Sequence, residues 1–250
     1  MEKFKIIINA SSLVLGLAIA AYLIGSSIER FKKEDRYISV KGFCEREVKA
    51  DLVIWSMKIR VTNDDLKTGN AELEATKQKV IRFLSGKGIS QREIIAMNLY
   101  VFDKETTEYR VNTGNQQRYI IEETIEVRSN NVDTVQKISR MTSELLNAGV
   151  ALNTKDDWRH AGLQYIFTKL NAIKPEMLSE AIKNAKNAGE QFAKESKIKL
   201  GKLRKASQGL FSIQDRDESF TAGSEGEYAS SVSDLYKKVR VVISVEYSVE

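Results

Sequence analysis

The segment from Val53 to Thr62, VIWSMKIRVT, places an apolar side chain at every second position. Because successive side chains of a β-strand point to opposite faces of a sheet, this period of two predicts a strand with one buried face. The same alternation returns from Lys238 to Val249. We therefore expect strands both early in the domain and at its C-terminal end, with the last strand held inside a sheet.

Outward from Val53–Thr62, predicted helices and strands alternate along the chain. A helix is expected from Leu66 to Leu84, between the capping sequence Asn63-Asp64-Asp65 and Gly86. The elements that follow are a strand from Ile94 to Arg110, a strand from Tyr119 to Val127, a helix from Val132 to Leu146 capped by Asn130 or Asn131, and a strand from Ala161 to Phe167. This β-α-β-β-α-β order is typical of the split, ferredoxin-like arrangement, in which two helices cover one face of an antiparallel sheet.

A third helix and further strands complete the predicted α+β domain. A strand from Tyr37 to Lys49 precedes the split unit, and a strand near Lys202–Ser212 follows the third helix. Pro175 suits the first position of that helix, and Gly201 is expected to end it. The buried face of the helix is predicted to carry Leu178, Ala181, Ile182, Ala185, Phe192 and Ala193.

The N-terminal segment from Ile6 to Ile24 contains no charged residue. At about 1.5 Å of rise per residue it would form a helix of about 28 Å, close to the thickness of the hydrocarbon core of a bilayer. We predict an uncleaved transmembrane anchor over residues 6–25. A cleaved signal peptide is an alternative, because Lys3 and Lys5 precede the segment and Ala18-Ile19-Ala20 matches a cleavage site. A buried helix of the domain is the third interpretation.

Basic residues on both sides of the segment bear on its orientation. Lys and Arg favour the cytoplasmic side, but a short N-terminal tail usually stays inside while a large domain crosses regardless of charge. We therefore predict a single-pass protein of the inner membrane, with its N-terminus inside and its domain on the periplasmic side. The predicted organisation is a tail at 1–5, the anchor at 6–25, a linker at 26–36 and a domain at 37–250, with the split unit at about 52–170 and the remaining elements at 37–49 and 174–250.

The composition is that of an ordinary globular protein, with 42% hydrophobic and 29% charged residues. Lys and Arg total 39 against 34 Asp and Glu, a net charge of +5 that we interpret as slight and dispersed. Such a balance argues only weakly for contact with a polyanion or an anionic lipid. Cys44 is the only cysteine, so an intrachain disulfide and a cysteine-based zinc site are excluded.

Two stretches resemble a known family. Ile38-Ser39-Val40-Lys41-Gly42, followed by Val48-Lys49-Ala50-Asp51, resembles the opening of the SIMPL-domain proteins, the bacterial YggE-like family. The Ala-rich third helix and its exit, Lys199-Leu200-Gly201, are similar to that family's helix ending in Leu-Gly. Cys44 and Ala50 depart from the pattern, where a glycine and a proline are usual. The resemblance implies an envelope protein, periplasmic or membrane-anchored and linked with stress tolerance, whose characterised members can form ring-like oligomers.

No catalytic, cofactor-binding or metal site is predicted. His160 is the only histidine, which rules out a His-His metal site within one chain, and neither a nucleophile elbow nor a phosphate-binding loop motif occurs. Glu122, Glu123 and Glu126 cluster, but Glu122 and Glu126 alternate outward on the strand and are interpreted as a solvated face rather than an acid–base pair. Cys44 shares its strand parity with apolar residues and is predicted to be buried and inert.

The acidic loop from Asp215 to Ser233 begins like a calcium-binding loop, with Asp215, Asp217 and Glu218 at alternate or adjacent positions. An EF-hand needs a glycine and a glutamate where this chain has Phe220 and Gly226. We therefore predict no calcium site there.

Three classes of function remain. The first is a non-enzymatic, membrane-anchored envelope protein that self-associates, with the terminal strand pairs, the Ala-rich helix and Trp158 or Trp55 as contact surfaces if they are exposed. The second is a ligand- or polyanion-binding module that uses scattered Lys and Arg. The third, which the residue inventory disfavours, is a hydrolase or redox enzyme using His160 or Cys44. The predicted partners are the bilayer, through residues 6–25, and copies of the same chain, with no nucleic acid, small-molecule substrate or cofactor.

Overall fold

The computed structural model describes residues 15–24, 36–105, 117–153, 162–217 and 234–249. The helices are residues 15–24 (α1), Leu66–Gly86 (α2), Val132–Ser139 (α3), Ser143–Asn147 (α4) and Leu170–Glu195 (α5). The strands are Tyr37–Lys49 (β1), Leu52–Asn63 (β2), Ile94–Asp103 (β3), Tyr119–Ser129 (β4), Leu152–Asn153 (β5), Gly162–Ile166 (β6), Leu200–Gln208 (β7), Ser212–Asp215 (β8) and Tyr236–Val249 (β9). These elements confirm the predicted α+β class.

The described strands form two sheets. In one sheet the order is β3-β4-β2, with β6 and the two-residue β5 pairing with the other side of β2. All of these pairings are antiparallel, and the order along the chain follows the predicted β-α-β-β-α-β unit. In the other sheet β9 lies between β1 and β7, and β8 also pairs with β9. The last strand is therefore held inside a sheet, as its alternation predicts.

The chain divides into two compact units, each with its own buried residues. One takes its described residues from Met1–Glu45, Lys174–Ser212 and Arg240–Glu250, and the other from Arg46–Ile173 and Ile213–Val239. The core of the second unit forms where α2 and α3 pack on β2 and β4. The largest side chains fully buried in that core are Met57, Ile59, Leu73, Leu84, Ile121, Ile125 and Leu145.

Helix α5 packs on its sheet through a row of small side chains. Met177, Ala181, Ala185, Gly189 and Ala193 recur at every fourth position and are buried. Because small side chains let a helix axis approach a sheet closely, the larger Ile182 and Phe192 are displaced to the exposed flanks, against prediction. The predicted buried stripe is therefore only partly right.

Three predicted boundaries are also wrong. Helix α5 begins at Leu170, so Pro175 is its sixth residue rather than its first, and its missing N–H removes one helical hydrogen bond. The helix ends at Glu195 before Lys197, whose φ is 56°, whereas Gly201 lies in β7 against Ser248. The helix predicted from Val132 to Leu146 is two helices, α3 and α4, separated by a turn at residues 140–142.

The predicted anchor lies only partly within the described residues. Residues 15–24 are helical and exposed, while residues 6–14 and 25 lie outside the described ranges. Among the helices that the structure describes, none is both long and apolar enough to cross a membrane.

The N-cap of α2 gives a pH-dependent prediction. The Asp65 carboxylate accepts hydrogen bonds from the Thr68 hydroxyl and backbone N–H, both at 2.7 Å, and these bonds hold the pKa of Asp65 below its ordinary value. A depressed folded-state pKa contributes stability above the unfolded pKa that is lost as the pH falls through the folded value. We expect Asp65→Ala to lower the urea midpoint at about pH 7 more than at about pH 3.

Asp65→Asn is the matched control, because asparagine keeps a capping oxygen but does not titrate. Its urea midpoint should fall less than that of Asp65→Ala at neutral pH, and its acid dependence should be weaker than that of the unsubstituted chain. Equal acid dependence in the two chains would show that this carboxylate does not contribute.

Candidate interaction surface

The three clustered glutamates lie on both faces of β4, with Glu122 and Glu126 on one face, as their alternation predicts, and Glu123 on the other. Glu122 and Glu126 are on the outer face, where Glu122 forms ion pairs with Arg60 and, at 3.8 Å, with Lys58. Glu123 faces the core instead and is buried, with Lys77 Nζ 3.0 Å from its carboxylate. This hydrogen bond raises the pKa of Lys77. Glu122 and Glu123 are thus held by separate cations on opposite faces, which gives no acid–base pair between them.

The remaining candidate residues do not assemble into a site. Cys44 is buried, as predicted. Asp215 is buried and forms an ion pair with Lys237, so its carboxylate has a structural role in the core. His160, Trp158 and Glu218 lie outside the described residues. In the described ranges, no three His, Cys, Asp or Glu side chains are grouped closely enough to hold a metal ion.

A partly open cavity of about 420 Å³ lies beside β2 in the second unit. Its lining is mainly apolar, with hydroxyl groups from three residues. The lining residues are Trp55, Ser56, Met57, Ser139, Thr142, Leu146, Leu152, Gly162 and Leu163. Residues 154–161, between β5 and β6 in the sequence, lie outside the described ranges, and we assign the cavity no ligand.

The surfaces predicted for self-association are already used within the chain. The alanine face of α5 is buried, and Trp55 is only 5% exposed. Strand β9 has β1 on one side and β7 on the other, so neither of its edges is open along the stretch that pairs with both. The contacts expected through Trp55 and the alanine face required these residues to be exposed, and they are buried because the apolar pattern that identified them marks the core.

Strand β3 presents an apolar surface that the sequence analysis did not assign. Its residues Ile95, Met97, Leu99, Tyr100, Val101 and Phe102 are between 41% and 60% exposed. The strand lies at the end of its sheet, and α2 packs on β2 and β4 rather than over β3. Side chains on both faces of β3 are therefore exposed, and no strand among the described residues pairs with its outer edge.

Both ends of β3 are fixed by hydrogen bonds. Before the strand, Ser90 forms a capping box with Glu93, whose carboxylate accepts from the Ser90 backbone N–H at 2.9 Å. At its end, the Arg118 guanidinium donates to both carboxylate oxygens of Asp103, at 3.1 and 2.8 Å. This contact lowers the pKa of Asp103 and raises that of Arg118. The exposed apolar strand β3 is thus held in the sheet at both of its ends.

The uncharged residues 94–102 of β3 distinguish it from β7, one of the edge strands of the other sheet. Residues 94–102, IIAMNLYVF, contain no charge, whereas β7 carries Lys202, Arg204 and Lys205. Charged side chains and bulges on an edge strand hinder its pairing with another chain. Strand β7 has both features, with register shifts around Leu203, whereas β3 has one irregularity between Ala96 and Leu99 and no charge before Asp103, its last residue. Of these two edges, β3 is the one open to strand addition.

Comparison with protein families identifies the chain. The model of the SIMPL family, described as "Protein of unknown function (DUF541)", matches residues 38–247. Because this match covers most of the chain, the protein belongs to the SIMPL family, which confirms the resemblance drawn from the residues around Gly42 and Gly201.

Other comparisons add little to this assignment. No curated protein matches the chain significantly. A crystal structure of an uncharacterized conserved protein from Listeria innocua is similar over 80% of this chain and 91% of that one, with 6% identity and a TM-score of 0.18. A score this low supports no conclusion about fold or function.

Proposed function

We propose that this chain is a non-enzymatic cell-envelope protein that self-associates through the edge of β3. In this proposal residues 6–25 anchor it in the inner membrane, with the N-terminus inside and the domain on the periplasmic side. The apolar length of that segment and the short tail before it support the anchor. A stress-related role and a ring-like assembly are supported by the family resemblance alone.

The observation that carries the proposal is the exposed, uncharged β3 strand. An edge strand offers a row of backbone N–H and C=O groups to a partner strand. Because residues 94–102 are uncharged, pairing along them would not require a charged side chain of β3 to lose its hydration. A second copy of β3 meets these requirements, since it is itself apolar, uncharged and held at both ends. Antiparallel pairing of two copies about a two-fold axis is the common symmetric solution for such a surface.

The proposal is tested by placing charged side chains on β3 and measuring the mass of the protein in solution. We expect the full chain to have a mass in mild detergent above the 28.3 kDa of one copy. Replacing Tyr100 and Phe102, which lie on one face of β3, by lysine should raise the dissociation constant by about 100-fold or more, because like charges would then face each other across the pairing. Light scattering after size exclusion measures the mass across a dilution series.

The matched control is the double replacement of Phe192 and Leu210 by lysine, which also exchanges two exposed apolar side chains for two charges. This control should keep the mass of the unsubstituted chain. A monomeric unsubstituted chain, or an oligomer that survives the two β3 substitutions unchanged, would contradict the proposal.

A further inference from the structure

We infer that the exit of α5 and the start of β7 form a docking face for an anionic lipid surface. The face, here called the basic exit, comprises residues 194–205, KESKIKLGKLRK. It contains six basic residues and one acidic residue, a net charge of +5, which equals the net charge of the whole chain. The remaining residues therefore balance to zero, and the positive excess is concentrated here rather than dispersed.

The lysines of the basic exit point to solvent. Lys194, Lys197, Lys199, Lys202 and Lys205 are all exposed. Within the described parts of the chain, no ion pair to a carboxylate is formed by any of these five lysines, whereas Lys77 and Lys87 elsewhere do form such pairs. Their charge is thus available to an external anion.

The backbone beneath these lysines is held in place. Ser248 Oγ accepts a hydrogen bond from the Lys202 backbone N–H at 2.9 Å and donates one to the Lys202 carbonyl oxygen at 3.2 Å. A side chain at Gly201 would meet the Ser248 carbonyl oxygen at 2.9 Å, which shows how closely β7 approaches β9 there. The backbone of the basic exit is therefore held at Gly201 and Lys202, so little ordering of the backbone there opposes binding.

Apolar side chains beside the basic exit favour a lipid surface over other polyanions. Leu203 lies within it and is 55% exposed, while Phe192 and Leu210, which precede and follow it in the sequence, are 62% and 81% exposed. Lysines that surround exposed apolar side chains are typical of surfaces that bind anionic headgroups and insert into the interface. Nucleic-acid sites rely instead on several arginines and on aromatic stacking platforms, whereas the basic exit has one arginine, whose guanidinium already lies 5.2 Å from the centre of the Tyr37 ring.

The experiment reports whether the basic exit touches lipid. Ser207, exposed on β7, is replaced by cysteine and labelled with an environment-sensitive fluorophore, and Cys44 stays silent because it is buried. The full chain is mixed with vesicles of phosphatidylcholine alone or with about 30% phosphatidylglycerol, and flotation establishes the fraction bound to each. We expect the emission of the lipid-bound chain to rise only with the anionic vesicles and to fall back at about 0.5 M salt.

Two triple variants separate this contact from general electrostatics. Replacing Lys197, Lys199 and Lys202 by glutamine should abolish the emission increase, since each lysine near an anionic surface contributes roughly a five-fold factor in binding. The control replaces Lys67, Arg82 and Lys137, which are also exposed, by glutamine and should behave as the parent.

Three results would contradict docking of the basic exit on anionic lipid. Equal emission with the two lipids, or an increase that persists in the variant lacking Lys197, Lys199 and Lys202, would overturn the inference. Double-stranded DNA that produces the same emission increase without vesicles would assign the face to nucleic acid instead. Because the inference does not require self-association, the mass of the triple variant should remain that of the parent chain.

Discussion

Replacing Gly42 by alanine is expected to destabilise the first unit by about 3 kcal/mol. A Cβ at this position would overlap the Ala181 carbonyl oxygen and the Ala185 backbone nitrogen, and would lie 2.6 Å from the Ala185 Cβ. None of these atoms belongs to a flexible side chain, so α5 itself would have to move away from β1. Urea unfolding followed by circular dichroism measures the change in the free energy of unfolding.

Gly86→Ala is the matched control for this substitution. Gly86 is the last residue of α2, its added Cβ would have no neighbour within 4 Å, and its φ is not in the left-handed region. Since alanine restricts the unfolded chain more than glycine, we expect Gly86→Ala to be neutral or to stabilise by about 0.5 kcal/mol. A Gly42→Ala chain as stable as Gly86→Ala would mean that α5 does not contact β1 as described.

Replacing Asp215 by asparagine is expected to cost about 3 kcal/mol or more in the second unit. Asp215 and Lys237 are 5% and 3% exposed, and their ion pair is reinforced by the Asp234 backbone N–H, which donates to Asp215 at 3.2 Å. Without the carboxylate, the Lys237 ammonium would remain buried without its counter-charge. The midpoint of urea unfolding should fall accordingly.

A second substitution, at Lys237, tests whether the loss of stability comes from the unpaired buried charge or from altered packing. Combining Asp215→Asn with Lys237→Met removes both buried charges, so we expect much of the lost stability to return. Glu144→Gln, which breaks the exposed pair with Lys87, should change stability by less than about 1 kcal/mol. If Asp215→Asn costs no more than Glu144→Gln, burial of the Asp215–Lys237 pair does not govern its contribution.

Much of the fold follows from local pattern. The alternation from Val53 to Thr62 identified β2, and the caps Asp65 and Asn131 fixed the starts of α2 and α3. Helix α5 was harder because its buried residues are small. Periodicity favours large apolar side chains, so Phe192 was placed in the core, whereas close approach at Gly42 selects the row of Ala and Gly residues.

The β3 surface could not be predicted from the sequence, because it is recognised only by seeing that α2 does not pack over β3. The run of uncharged residues 94–102 looks like a buried strand, and only the position of α2 over β2 and β4 leaves it exposed. Conversely, Trp55 and the alanine face of α5 were expected at an interface but are buried. The basic exit was visible in the sequence as a cluster of lysines, but treating the net charge as a chain-wide total concealed it.

Self-association through β3 is tested most directly by measuring amide hydrogen exchange of this strand at two protein concentrations. Strand pairing between copies would protect alternate backbone N–H groups on the outer edge of Ile94–Asp103, and this protection would weaken on dilution. Peptides from β4, which is paired on both sides in a single copy, provide the internal reference. We predict that deuterium uptake by β3 rises on dilution while uptake by β4 does not. Uptake by β3 that is the same at both concentrations in the full chain would contradict self-association through this edge.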